Sequence, residues 1–196
     1  MKKLVLLITI LFVSVLSTAC INNFAVQELN NKAKQYMNNG DTETAICRLK
    51  ASLDLDSNMY ETHYNLAVAY IEARKFDDAI ASLNNVLKLK PDFVDAYYSL
   101  GVANEEKAFE IVNGTTESSN ENKMEDSAVQ IQPKKLTDAD KKLICDKISE
   151  AISNYNEYLS KKIDAQDKDK VNGRIEYLNS ELKKYNISEG APIQEN

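Results

Sequence analysis

The most constraining feature of the sequence is an internal similarity at an offset of 34 residues. Small residues recur at this offset, as in Ala33 and Ala67, and so do large apolar ones, as in Leu49 and Leu83. Further pairs at the same offset are Tyr36 and Tyr70, Ala45 and Ala79, Leu53 and Leu87, Tyr64 and Tyr98, and Leu66 and Leu100. Small side chains allow two helices to approach closely, and large ones fill the space beside them. The period therefore predicts stacked copies of one supersecondary unit.

The composition favours helices as the content of that unit. Apolar residues make up 43% of the chain and charged residues 28%, which is enough apolar material for a packed core. Only five glycines and three prolines occur in 196 residues, too few for the many turns of an all-β fold. The formal charge of −6 argues against nucleic acid as a partner, because nucleic-acid binding needs a basic surface.

The segment Tyr60–Phe93 places small residues at Ala67 and Ala79, an aromatic residue at Tyr70 and a proline at Pro91. These residues and the period resemble the tetratricopeptide repeat. The resemblance implies an all-α fold, a right-handed superhelix of about three helix-turn-helix repeats followed by a C-terminal capping helix. It assigns the repeats to residues 26–59, 60–93 and 94–162 and the capping helix to about 168–186, all within a domain of residues 26–187.

The third repeat is interrupted by a polar insert at about residues 113–136. Its composition cannot bury enough apolar surface to offset the entropy of ordering, so we expect a disordered loop there. Thr137, followed three residues later by Asp140, then predicts a helix start. The second helix of the repeat resumes beyond it, because Tyr155 corresponds to Leu83 at an offset of 72 residues. Residues 188–196 form a polar tail.

The N-terminal residues predict a cleaved signal peptide at 1–19. Lys2 and Lys3 precede an apolar run of residues 4–16, which is shorter than the roughly 20 residues of a membrane-spanning helix. The following Leu16-Ser17-Thr18-Ala19-Cys20 resembles the lipobox of bacterial lipoproteins, which implies lipidation at Cys20 and a short tether at residues 20–25. The alternative is an ordinary signal peptide with Cys20 as an incidental thiol. In Gram-negative members of the lipoprotein family that the lipobox resembles, a residue other than Asp after the cysteine, here Ile21, implies the outer membrane rather than retention in the inner membrane.

The residues available for chemistry argue against an enzyme. His63 is the only histidine, and no serine or cysteine nucleophile has a recognisable partner, so we expect a packing role for it. The acidic residues Asp167 and Asp169 lack the spacing of a calcium loop. A disulfide between Cys47 and Cys145 is the alternative that an oxidising compartment leaves open. We expect two unpaired thiols, since their helices belong to different repeats and a disulfide needs Cα atoms within about 7 Å. The sequence predicts no metal and no cofactor.

The resemblance implies a concave groove lined by the first helix of each repeat. The predicted groove residues are Asn30, Lys34, Met37, Asn38, Glu61, Tyr64, Val68, Ile71, Glu72, Asp95, Tyr98, Val102 and Glu105. Asp95 and Ser99 stand where a carboxylate-clamp member of the family has basic residues, which disfavours that kind of peptide binding. An acidic groove with tyrosines and aliphatic residues suits a segment with apolar and basic side chains. The alternative is that these residues are simply solvated or pack between repeats.

These observations predict a non-catalytic scaffold, tethered by lipid to a bacterial membrane, that binds another envelope protein or a peptide segment of one. By family analogy the assembly is of the outer-membrane or the pilus and secretin biogenesis type. The membrane contact is expected to come from the lipid anchor, on the outer membrane and facing the periplasm. The alternatives are a regulator that recruits a cell-wall enzyme and a periplasmic module that binds a peptide or small ligand.

Overall fold

The computed structural model describes residues 24–114, 136–162 and 167–186, and every regular element in these ranges is an α-helix. The all-α prediction is therefore confirmed for the described residues. The predicted signal peptide, most of the tether and of the polar insert, and the tail lie outside them. None of the described helices is long and apolar enough to cross a membrane. The helices are α1 (residues 24–38), α2 (Thr42–Leu55), α3 (Tyr60–Glu72), α4 (Phe76–Leu89), α5 (Val94–Asn113), α6 (Asp138–Lys161) and α7 (Lys168–Asn186).

The chain divides into two compact units, Met1–Ala96 and Tyr97–Asn196. In the first unit, α1 with α2 and α3 with α4 form two helical hairpins at the 34-residue offset. Their small residues Ala33, Ala67, Ala45 and Ala79 are all buried. The repeated small positions of the sequence are thus interior positions of the fold.

The turns inside both hairpins have the same backbone geometry. Gly40 and Arg74 stand 34 residues apart, and both adopt a left-handed conformation, with φ of 78° and 58°. The backbone amide that follows each turn residue donates a hydrogen bond to a carbonyl of the preceding helix. Asp41 N donates to Tyr36 O at 2.9 Å, and Lys75 N donates to Tyr70 O at 2.8 Å. These bonds satisfy carbonyls that the helix end leaves open. Glycine tolerates this conformation better than arginine, so the second turn carries a local strain that the first does not.

In the second unit the helices are longer, 20 residues in α5 and 24 in α6, against 13 or 14 in α3 and α4. Helix α6 begins with a reciprocal cap, in which the side chains of Thr137 and Asp140 each bond the other's backbone amide. This confirms the predicted helix start at Thr137. The buried Tyr155 of α6 lies against Gly101 of α5.

Gly101 is required by the close approach of that ring. A Cβ atom at position 101 would stand 2.5 Å from Cε1 of Tyr155. Overpacking a core typically costs about 1–3 kcal/mol, more than the roughly 1 kcal/mol that alanine gains over glycine within a helix. We expect Gly101→Ala to lower the free energy of unfolding, measured by urea denaturation.

Gly173 in α7 is the matched control, because a Cβ atom there would meet nothing within 4 Å. Gly173→Ala should raise the free energy of unfolding by up to about 1 kcal/mol through helix propensity alone. A Gly101→Ala protein as stable as the parent would show that the Tyr155 ring does not need the space.

Candidate functional site

The predicted groove residues of α3 form one stripe on that helix. Steps of three or four residues connect Glu61, Tyr64, Val68 and Ile71, and Glu72 lies four residues after Val68, so the five residues share one side of the helix. The two carboxylates at the ends are exposed, and the tyrosine, valine and isoleucine between them are half-buried. We call these five residues the α3 stripe. It presents an apolar centre with an acidic group at each end.

Two further predicted groups lie in the same unit. On α1, Lys34 and Asn38 are exposed and Met37 is half-buried, while Asp95, near the start of α5, is exposed. Three of these four side chains are therefore exposed to solvent.

Asn30 differs from the rest of the predicted set, because it joins three helices from a half-buried position. Its Nδ2 lies 2.9 Å from Ser52 Oγ of α2 and 2.9 Å from Thr62 Oγ1 of α3. The same nitrogen lies 3.0 Å from Val26 O, and its Oδ1 accepts from Asn65 Nδ2 at 3.1 Å. Both hydroxyl-bearing residues are fully buried. Asn30 therefore satisfies interior polar groups, a role that helix periodicity alone does not reveal.

Tyr64 belongs to an aromatic cluster at one edge of the α3 stripe. Its ring meets Phe93 edge-on with centroids 4.9 Å apart, and Tyr60 lies 5.4 Å from the same ring. The ammonium of Lys90 stands 4.3 Å from the centroid of Tyr60 and donates to its hydroxyl at 3.0 Å. This hydrogen bond raises the pKa of Lys90, so the cation is held against the cluster.

The predicted residues of the second unit are more enclosed. Tyr98 lies between Tyr155 and Tyr158, with ring centroids 5.7 Å and 5.3 Å away, and Val102 is half-buried. Glu105 is only 4% exposed. Of the thirteen predicted groove residues, it is the one that the structure places in the interior.

Glu105 is held by groups from two other helices. Its Oε2 accepts from the hydroxyl of Tyr155 at 2.8 Å and from Nε of Arg174 at 2.6 Å. Burial raises the pKa of Tyr155, so this hydroxyl remains a donor. Desolvation opposes the charge of Arg174, but the hydrogen bond to Glu105 raises its pKa overall. No sequence pattern pointed to Arg174, which lies 69 residues from Glu105 along the chain.

The remaining candidates for chemistry show no catalytic arrangement. His63 Nε2 lies 3.0 Å from the backbone oxygen of Ser57, and the ring is half-buried. Neither Cys47 nor Cys145 forms a disulfide in the described part of the chain. The described ranges also contain no group of three or more His, Cys, Asp or Glu side chains that could hold a metal ion. Cys20 lies outside the described residues.

Comparison with known proteins identifies the repeated part of the chain. Residues 36–103 match the family model of the tetratricopeptide repeat. No curated protein matches the sequence. The first TPR of Spaghetti (RPAP3), bound to the HSP90 peptide SRMEEVD, is 17% identical over 81% of this chain and 93% of that one, with a TM-score of 0.55. The first TPR domain of human RPAP3 is 17% identical over 83% and 96%, with a TM-score of 0.56. The Arabidopsis OM64 TPR domain is 14% identical over 79% and 96%, with a TM-score of 0.56.

At these identities the likeness concerns the fold. It confirms the predicted fold class, an all-α helical repeat of the tetratricopeptide type. It does not transfer a ligand to this chain.

The Asn30 network predicts a specific loss of stability. Asn30→Ala would leave the amide of Asn65 and the hydroxyls of Ser52 and Thr62 without these partners in the interior. Unsatisfied buried polar groups cost about 1–3 kcal/mol, so the free energy of unfolding should fall by about that amount. Asn38→Ala, at an exposed position of the same helix, should change it by no more than about 0.5 kcal/mol. Equal effects of the two substitutions in chemical denaturation would contradict the structural role of Asn30.

Proposed function

We propose, from the tetratricopeptide repeats of residues 36–103, that this chain is a non-catalytic scaffold that binds a segment of another protein. The observation that carries the proposal is the α3 stripe. Tyr64, Val68 and Ile71 remain half-exposed on one helix face, although the interior of the unit is already filled by other apolar residues. Contiguous half-exposed apolar groups with polar ends are typical of interaction surfaces.

The first unit is the better place for the partner. Its predicted groups reach solvent, whereas Glu105 of the second unit is already bonded to Tyr155 and Arg174. Peptide binding also occurs on this fold in the Spaghetti (RPAP3) structure, which holds an HSP90 peptide. For this chain we therefore assign partner binding to the α3 stripe together with Lys34, Met37, Asn38 and Asp95.

The scaffold is proposed to act at a membrane through a lipid on Cys20. The support is the sequence, in which a basic start, an apolar run and Ala19 precede the cysteine. More than one acyl chain gives stable anchoring. Residues 21–25 span at most about 18 Å when extended, so the helical region would stay close to the bilayer. The proposed setting is the bacterial envelope, at the outer membrane and facing the periplasm, in an assembly of the outer-membrane or pilus and secretin type.

Partner capture tests the assignment of the surface. We expect Tyr64→Ala to reduce, by about tenfold or more, the recovery of partners crosslinked in cells and purified from detergent-solubilised membranes, because central aromatic residues dominate interface energies. Mass spectrometry would quantify each partner. Tyr177→Ala is the matched control, since this tyrosine is 49% exposed and lies on α7.

Circular dichroism and thermal unfolding should show that both tyrosine variants keep the helical fold. Undiminished recovery with a folded Tyr64→Ala protein would exclude the α3 stripe as the binding surface.

Lipidation is tested separately by fractionation. Cys20→Ala should move the chain out of the membrane pellet and abolish incorporation of labelled palmitate, because the substitution removes the thiol that would carry the lipid. Cys47→Ala, at an exposed thiol of α2, should leave both unchanged. A Cys20→Ala protein that stays in the pellet after an alkaline wash would contradict the lipid tether.

A further inference from the structure

The charges on the α3 stripe carry an inference about the chemistry of the partner, and this inference rests on the proposed function. We propose that the stripe binds an amphipathic helix that carries a basic residue at each end of an apolar face. Glu61 and Glu72 are exposed, and neither forms an ion pair within the described residues, although Lys90 lies within electrostatic reach of Glu61. A basic partner gains from both carboxylates, and an acidic one is repelled by them.

The spacing of the two carboxylates sets the spacing of the partner's charges. Glu61 and Glu72 are eleven residues apart on one helix, which corresponds to about 16 Å along its axis. A helix lying along α3 has the same rise, so its basic residues should also stand about eleven residues apart. Apolar residues three or four positions apart between them would meet Tyr64, Val68 and Ile71.

The surrounding charges favour the same sign. Asp95 adds a third exposed carboxylate to the assigned surface of the first unit, against the single exposed ammonium of Lys34. An arginine already pairs with a carboxylate in the second unit, where Arg174 donates to Glu105 beside the ring of Tyr155. Within the described residues, a carboxylate beside a tyrosine ring thus accepts a hydrogen bond from an arginine at Glu105.

Two synthetic helical peptides test the inference. One carries arginine at both ends of an eleven-residue apolar face, and the other is identical with glutamate at those two positions. Fluorescence anisotropy with the full chain in detergent should show binding of the arginine peptide that weakens with salt, and at least tenfold weaker binding of the glutamate peptide.

The double substitution Glu61→Gln with Glu72→Gln should weaken binding of the arginine peptide by about three- to tenfold, as expected for two exposed ion pairs. The control is Asp54→Asn with Glu176→Gln, which removes two exposed carboxylates from α2 and α7. Its net charge equals that of the Glu61→Gln with Glu72→Gln variant. This control should bind the arginine peptide like the parent. A third peptide with the two arginines adjacent should bind more weakly than the peptide with the arginines eleven residues apart, because only one of them can reach a carboxylate at a time.

Three results would overturn the inference. If the arginine and glutamate peptides bind equally well, and Tyr64→Ala weakens the binding of both, the α3 stripe is a binding surface without the proposed preference for a basic partner. Equal losses in the double variant and its control would show only the effect of net charge. Absence of any binding that depends on Tyr64 would exclude this partner chemistry, while the capture experiment with Tyr64→Ala would still decide the proposed function on its own.

Discussion

The fold depends on how closely two helices approach at positions that carry little or no side chain. Ala33, Ala67 and Gly101 occupy one place in successive repeats, and Leu49 and Leu83 correspond to Tyr155. All of the large residues in this set are fully buried. Where the third repeat enlarges leucine to tyrosine, it also reduces alanine to glycine, so volume is conserved at the contact. Each change would be unfavourable without the other.

Polar groups in the interior then fix which helices are neighbours. In the first unit one amide, Asn30, bonds to residues of α2 and α3, and in the second Glu105 joins α6 and α7 to α5. Apolar packing is tolerant of small shifts, but a buried hydrogen bond loses most of its value when the partner moves. Asn104 Oδ1 is the buried side-chain atom that lacks a hydrogen bond in the described residues. Tyrosine holds this place in the other repeats, so the third has exchanged an aromatic residue for an incompletely satisfied amide.

Periodicity made the buried positions predictable, because every repeat buries the same face of the same helix. The small residues, the large residues beside them and the start of α6 at Thr137 followed from spacing and capping alone. The roles of Asn30 and Glu105 did not, because spacing assigns a residue to a helix face without saying which distant side chain reaches it. Arg174 comes from a helix beyond the insert, where no repeat offset applies.

The positions that differ between repeats point to function, because the fold does not require them to be alike. Ile71 and Glu105 are equivalent at the 34-residue offset, yet one is half-exposed and apolar and the other is buried and charged. The second unit has used this position to bind its own last helix. The first unit leaves it open, next to Glu72 and in line with Tyr64. A position that one repeat fills from within the chain is therefore half-exposed in the preceding repeat, and this difference supports the partner binding that we propose there.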